Sequence, residues 1–163
     1  MEQEFIEMIN GNRGTIFKVC NLYCHEDENR KDLVQEIILQ LWKSYASFRN
    51  EANINTWVYR VALNTAISNF RKESKKPGKT SLTDAIFQLP DIAQSADEKE
   101  KISMLNNAIG RLTEIEKAVI MLYLDEKTYD EIAEILGIDN NQLKVKHHRA
   151  KQKLIKLLNE SSL

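Results

Sequence analysis

Asn141, Gln142, Lys144, Val145, Lys146, His148, Arg149 and Lys151 crowd one short stretch near the C-terminus. Side-chain amides, imidazole and guanidinium can hydrogen-bond base edges, and cationic groups neutralise phosphates. From Asn140 onward six Lys or Arg stand against one acid, Glu160, in a chain whose formal net charge is −1. The basic charge is therefore segregated, which fits one phosphate-contacting element in an otherwise neutral molecule. A second set lies upstream: Arg60, Asn64, Ser68 and Arg71 recur at helical spacing beside Trp57 and Tyr59, with Lys72, Lys75 and Lys76 following. Hydrogen-bonding groups next to aromatic rings suit nucleic acid, unpaired strands included, because bases stack on such rings. Taken alone, each set is also what a solvated helix face looks like.

Cys20, Cys24 and His25 form the one other cluster with ligand chemistry. Soft ligands at this spacing suit zinc or a redox pair, but no second Cys/His cluster exists to complete a tetrahedral site. The i, i+4 spacing also fits two small apolar residues on a buried helix face. No metal and no cofactor are expected. A Gly-rich phosphate loop, paired carboxylates and a nucleophile–base arrangement are all missing from the sequence, so no catalytic site is expected either.

The elements that position the basic cluster are legible around it. The segment KTYDEIAEILGIDNNQLKVKHHRAKQKLIKLL, 127–158, reads as a helix-turn-helix. Ala133 allows close approach inside a first helix over 129–136, Gly137 supplies a residue with φ > 0 behind it, and Leu143 packs the second helix back. Thr128 with Glu131 and Asp139 with Gln142 predict capping boxes at the two helices, and Thr113 with Glu116 predicts a third at the preceding one. Each cap is worth about 1 kcal/mol. Leu143, His147, Ala150, Leu154 and Leu157 make the core face of the second helix. Lys144, His148, Lys151 and Ile155 lie opposite, flanked by Lys146, Arg149, Lys153 and Lys156. Such a pair presents its second helix to a major groove.

Prolines number two and glycines five, and no strand-like alternation is sustained, so an all-α fold is expected. The 163 residues suit two small helical domains. Helical apolar periodicity fills 1–72, stops over 73–100, and resumes over 101–163. The interruption holds both prolines and is polar and acidic, which reads as a flexible linker with a short turn at 84–89. Helices are predicted at 2–10, 14–24, 31–45 and 55–72. In the third, apolar residues at 34, 37, 38, 41 and 45 make one full face, while Leu33, Leu39 and Trp42 fall outside it. Either flanking helices cover that surplus or a partner does. No apolar run approaches a membrane span and the N-terminus lacks a signal-peptide pattern, so a cytoplasmic protein without membrane insertion is expected.

With these segments in hand, the chain resembles the extracytoplasmic-function branch of bacterial RNA polymerase sigma factors, over nearly its whole length. DLVQEIILQLWKSYASF resembles that family's segment for gripping the coiled coil of the polymerase largest subunit. INTWVYRVALNTAISNFRK resembles its segment that melts and reads the minus-ten element, and KTYDEIAEILGIDNNQLKVKHHRAKQKL its minus-thirty-five-reading helix-turn-helix. The resemblance implies a transcription initiation factor with a region 2-like domain over 1–72 and a region 4-like domain over 101–163. It implies polymerase contacts from Asp32, Leu33, Gln35, Glu36, Leu39 and Trp42. DNA contacts would come from Trp57, Arg60, Asn64, Ser68 and Arg71 and from the C-terminal cluster. Core RNA polymerase, through its coiled coil and flap, and promoter DNA are the implied partners, with room for an anti-sigma factor, and the linker would thread a polymerase channel. The chain departs from the family pattern at Ser68, often Asp there, at Val145 and His148, and in a shorter loop over 49–53. Two rival readings are a helix-turn-helix regulator with an N-terminal sensing or dimerisation domain, and a partner-binding helical module such as an antagonist of another sigma factor.

Overall fold

The computed structural model describes residues 1–48, 53–74 and 95–161. Every regular element among them is an α-helix. The chain divides into two compact units, one of Met1–Lys76 with Glu134–Gly137 and the other of Pro77–Ala133 with Ile138–Leu163. Family-type readings that fall on 49–52 and 75–94, the short loop and most of the linker, lie outside the described residues.

The first unit comprises α1 (Glu2–Gly11), α2 (Arg13–Tyr23), α3 (Asp27–Tyr45) and α4 (Ile54–Ser74). Apolar residues at helical spacing build its core: Ile16, Val19 and Cys20 from α2, Leu33, Ile37 and Leu41 from α3, and Val58, Ala62 and Ala66 from α4. The small residues Ala62 and Ala66 let α4 lie close against both α2 and α3. Asn55 fixes the start of α4 by donating to Asn12 Oδ1 at 3.3 Å and Thr15 Oγ1 at 3.1 Å, both at the start of α2. Helix α1 contributes Phe5, whose ring meets Trp42 and Tyr45 edge-on at 4.9 and 5.3 Å.

Two helix starts differ from the sequence expectation by more than two residues. Helix α3 begins at Asp27, ahead of the predicted 31, because its first turn is polar: Asp27 and Glu28 occupy the end where the helix dipole favours acids. Such a turn carries no apolar periodicity to read. The same holds for α5, which starts at Ala96 inside the segment read as linker. Its cap Ser95 accepts from the Glu98 amide at 3.3 Å, and Asp97 and Glu98 fill the first turn. Asp97, Glu98 and Glu100, taken as linker composition, are N-terminal helix residues, while Asp84 and Asp91 lie outside the described residues.

The chain after α4 holds α5 (Ala96–Gly110), α6 (Glu114–Leu124), α7 (Tyr129–Leu136) and α8 (Asn140–Ser161). All three predicted capping boxes form. Thr113 and Glu116 exchange bonds of 2.9 and 3.3 Å, Thr128 and Glu131 bonds of 3.1 and 3.2 Å, and Asp139 and Gln142 bonds of 3.3 and 2.7 Å. Gly137 adopts φ +69° and so ends α7 in the left-handed conformation. The Ile138 amide then reaches back to the Ala133 carbonyl at 3.1 Å, the six-to-one bond of a Schellman motif. This turn aims α8 away from α7.

Candidate nucleic-acid interface

Helix α8 has two unlike faces. Leu143, His147, Ala150 and Leu154 are buried, as their spacing predicts, while Leu157 on the same stripe is half-buried. Asn141, Lys144, Val145, His148, Arg149 and Lys151 are exposed, and Lys146 is half-buried at the margin. Val145 keeps 48 % of its surface in water, an apolar group set between amide and cationic neighbours. A methyl-bearing side chain in that setting can meet a thymine methyl while its neighbours reach hydrogen-bonding edges and phosphates. Gln152 lies exposed on the same face and was not picked out from the sequence, since no charge distinguishes it. The start of α8 is held against α7 by Asn140, which donates to Asp130 Oδ1 at 3.1 Å.

Two residues of this region are committed elsewhere. Gln142 places its side-chain oxygen on the Asp139 amide at 3.3 Å, which holds the side chain at the helix start and leaves its NH2 group free to donate to a ligand. Lys153, read as a flanking cation, instead sits 3.0 Å from Glu116 Oε1 and ties α8 to the start of α6. That same oxygen accepts the Thr113 amide. Burial would raise the Glu116 pKa, but the Thr113 amide and hydroxyl and the Lys153 ammonium outweigh it and hold the carboxyl below its usual range. Lys153 is thus structural, a role set by a residue distant in sequence.

On α4 the residues Arg60, Asn64, Ser68 and Arg71 form one continuous exposed stripe, opposite the buried Val58, Ala62 and Ala66. The aromatic neighbours need correction. Tyr59 is 1 % exposed and belongs to the core, so it offers no platform for a base. Trp57 is half-buried, and its ring is already stacked on Phe48 at 4.7 Å and tilted against Tyr45 at 6.3 Å. A base can join Trp57 only from its uncovered side.

On α3 the residues Asp32, Gln35, Glu36, Leu39 and Trp42 share the exposed face, with Leu39 and Trp42 keeping 43 % and 44 % of their surface. Glu36 accepts from Gln40 Nε2 at 2.9 Å. Leu33 does not share this face: it is 2 % exposed and, with Ile37 and Leu41, makes the stripe that meets the core. Cys20 and Cys24 are buried core thiols, and burial, then the neighbouring Cys24, pushes Cys20 up to about 12. Such a thiol is a poor nucleophile and a poor ligand.

The geometry is that of two helical modules with separate polar faces, and comparison with known proteins gives them a family. Residues 8–76 match the model of sigma-70 region 2, and residues 102–154 match that of sigma-70 region 4. The chain is 31% identical over 146 residues to the RNA polymerase sigma factor YlaC of Bacillus subtilis, spanning 84% of this chain and 82% of that one. It is 27% identical over 172 residues to the sigma factor SigW of the same organism, spanning 98% and 91%. Among solved structures, the sigma factor RpoE of Bartonella quintana, captured with the anti-sigma factor NepR, superposes with a TM-score of 0.66 at 20% identity, over 97% of this chain and 96% of that one. The chain belongs to the extracytoplasmic-function branch of the bacterial sigma factor family. It is a promoter-directing factor of RNA polymerase, whose partners are core polymerase and promoter DNA. No described helix is long and apolar enough to cross a membrane.

Proposed function

We propose that α8 reads the minus-thirty-five element in the major groove and that the α4 stripe engages the minus-ten element as it opens. The observation that carries this is the pair of exposed hydrogen-bonding faces, one on each unit, each backed by a buried apolar stripe. On α8, Asn141, Val145, His148 and Arg149 are the base-reading candidates and Lys144, Lys146 and Lys151 the phosphate contacts. On α4, Arg60, Asn64, Ser68 and Arg71 hold the exposed strand, with Trp57 available from one side. Asp32, Gln35, Glu36, Leu39 and Trp42 on α3 dock the coiled coil of the polymerase largest subunit, and the region 4-like unit meets the flap. The factor has no catalytic site, works in the cytoplasm, and can be withheld by an anti-sigma factor.

Run-off transcription from a library randomised in the upstream element tests the α8 assignment, with each variant first shown to co-purify with core polymerase. Arg149→Ala is expected to cost about 1–3 kcal/mol at one base position and to relax preference there. Lys151→Ala is expected to weaken all sequences alike and to lower the salt slope by roughly one unit. If both folded variants leave the library profile and its salt dependence unchanged, α8 is not the reading helix.

A further inference from the structure

One polar ring interrupts the apolar face of α8. His147 is 4 % exposed. Its Nδ1 is hydrogen-bonded to the Tyr129 hydroxyl, at the first residue of α7. Its ring lies 4.5 Å, centroid to centroid, from Tyr123 near the end of α6, and 5.4 Å from Tyr129, which it meets edge-on. The remaining nitrogen, Nε2, is buried and has no hydrogen-bond partner. An apolar side chain would fill this space without burying an unpaired polar atom, so packing alone does not account for an imidazole here. What the imidazole adds is a bond from the recognition helix to the helix before it, made by a group whose charge can change.

We propose that His147 is a positioning residue, a latch whose neutral ring fixes α8 against α6 and α7, and whose protonation releases the recognition face. Burial and Lys151 oppose a positive charge on it and outweigh the attraction that the two tyrosine rings offer a cation. Tyr123 from α6 and Tyr129 from α7 present neutral phenols. Lys151, one turn further along α8, presents a second cation. Among the described residues no carboxylate acts on the ring, from α5 or from any other helix packed on α8. Burial first, then Lys151, holds the imidazole below its ordinary range, so it stays neutral at neutral pH. The folded ring takes up a proton less readily than the unfolded one. The latch is therefore complete above the ordinary imidazole range, weakens as pH falls through that range, and stops weakening below the lowered value. A charged ring carries a proton on both nitrogens, and the buried Nε2–H has no acceptor, so the ring is drawn toward water.

The link to DNA rests on the reading of α8 as the recognition helix; the latch does not. Amide hydrogen exchange on the full-length protein, from pH 8 to pH 5, measures the latch directly. Protection factors in α7 and the N-terminal half of α8 are expected to fall by up to about tenfold per pH unit across the window, the limit for one coupled proton. Helices α2 to α4 should show no such fall. His147→Leu, which keeps the site filled, should abolish the pH dependence, and Tyr129→Phe should lower α7 protection at neutral pH. In parallel, holoenzyme affinity for an upstream-element duplex should drop over the same window in the wild type relative to His147→Leu; His148 is present in both and cancels. Protection that does not change with pH, or that falls equally in His147→Leu, overturns the latch. Protection that follows pH while the holoenzyme shows no upstream-element binding at any pH leaves the latch standing and sinks the reading role of α8.

Discussion

Lys153 and Lys151 are two residues apart on the same basic helix, yet the fold gives them different work. Lys151 points to water. Lys153 is 3.0 Å from Glu116, whose side chain retains 14% exposure against 44% for the lysine. A half-exposed pair of this kind contributes modestly, about 0.5 kcal/mol, because solvent screens it. Glu116 adds to this by closing the Thr113 capping box. Lys153→Ala should therefore lower the thermal stability of the second unit slightly while leaving the salt slope of DNA binding unchanged; a reduced salt slope would return Lys153 to the phosphate contacts. The pH signature follows from the depressed Glu116 carboxyl. A group held below its unfolded value contributes stability that is present above the ordinary carboxylate range and lost as pH falls through its folded value. Wild type should lose stability on acidification in that range more steeply than Glu116→Gln, which is checked by denaturant melts at stepped pH.

The helix-turn-helix depends on one backbone angle. Gly137 at φ +69° lets the Ile138 amide return to Ala133, and a Cβ placed there would meet no atom within 4 Å. The cost of a side chain is then purely conformational. Gly137→Ala should destabilise the unit by about 1 kcal/mol, and Gly137→Asn by less, since Asn tolerates this region. Equal melting of Ala and Gly proteins would show that the left-handed turn is not kept in solution. This turn, the three capping boxes and the buried face of α8 were all legible in the sequence, because each is specified by residues within one turn of one another. What local pattern could not settle was which of two adjacent apolar stripes on α3 meets the core. Residues 33, 37 and 41 and residues 34, 38 and 45 are both helically spaced; α2 and α4 close over the first set, so Leu33 is buried. Periodicity is likewise silent in the polar first turns of α3 and α5, and it cannot see that Glu116 claims Lys153 or that Phe48 claims a face of Trp57. The site was read from types and spacing; its committed members were revealed only by partners far along the chain.

A formal net charge of −1 conceals a division of labour between the units. A continuous basic face lies on α8, and a mixed stripe of Arg60, Asn64, Ser68 and Arg71 lies on α4. On a single promoter these faces would act at different stages, α8 on closed duplex and α4 on strands that are separating. On the proposed reading, electrostatic attraction to phosphate would serve the first stage, while the amide and hydroxyl groups of α4 would assist the strands as they part. Effects from residues on separate units, without shared partners, should add as free energies. On a duplex promoter, Arg149→Ala and Asn64→Ala should each reduce run-off transcription, and the double variant should show the product of the two losses. A template already mismatched across the minus-ten element removes the opening step. There Asn64→Ala should recover most of its activity, Arg149→Ala should keep its full loss, and the double variant should match Arg149→Ala alone. If Asn64→Ala is equally impaired on both templates with its fold intact, Asn64 recognises a base instead of assisting strand separation, and α4 acts after opening.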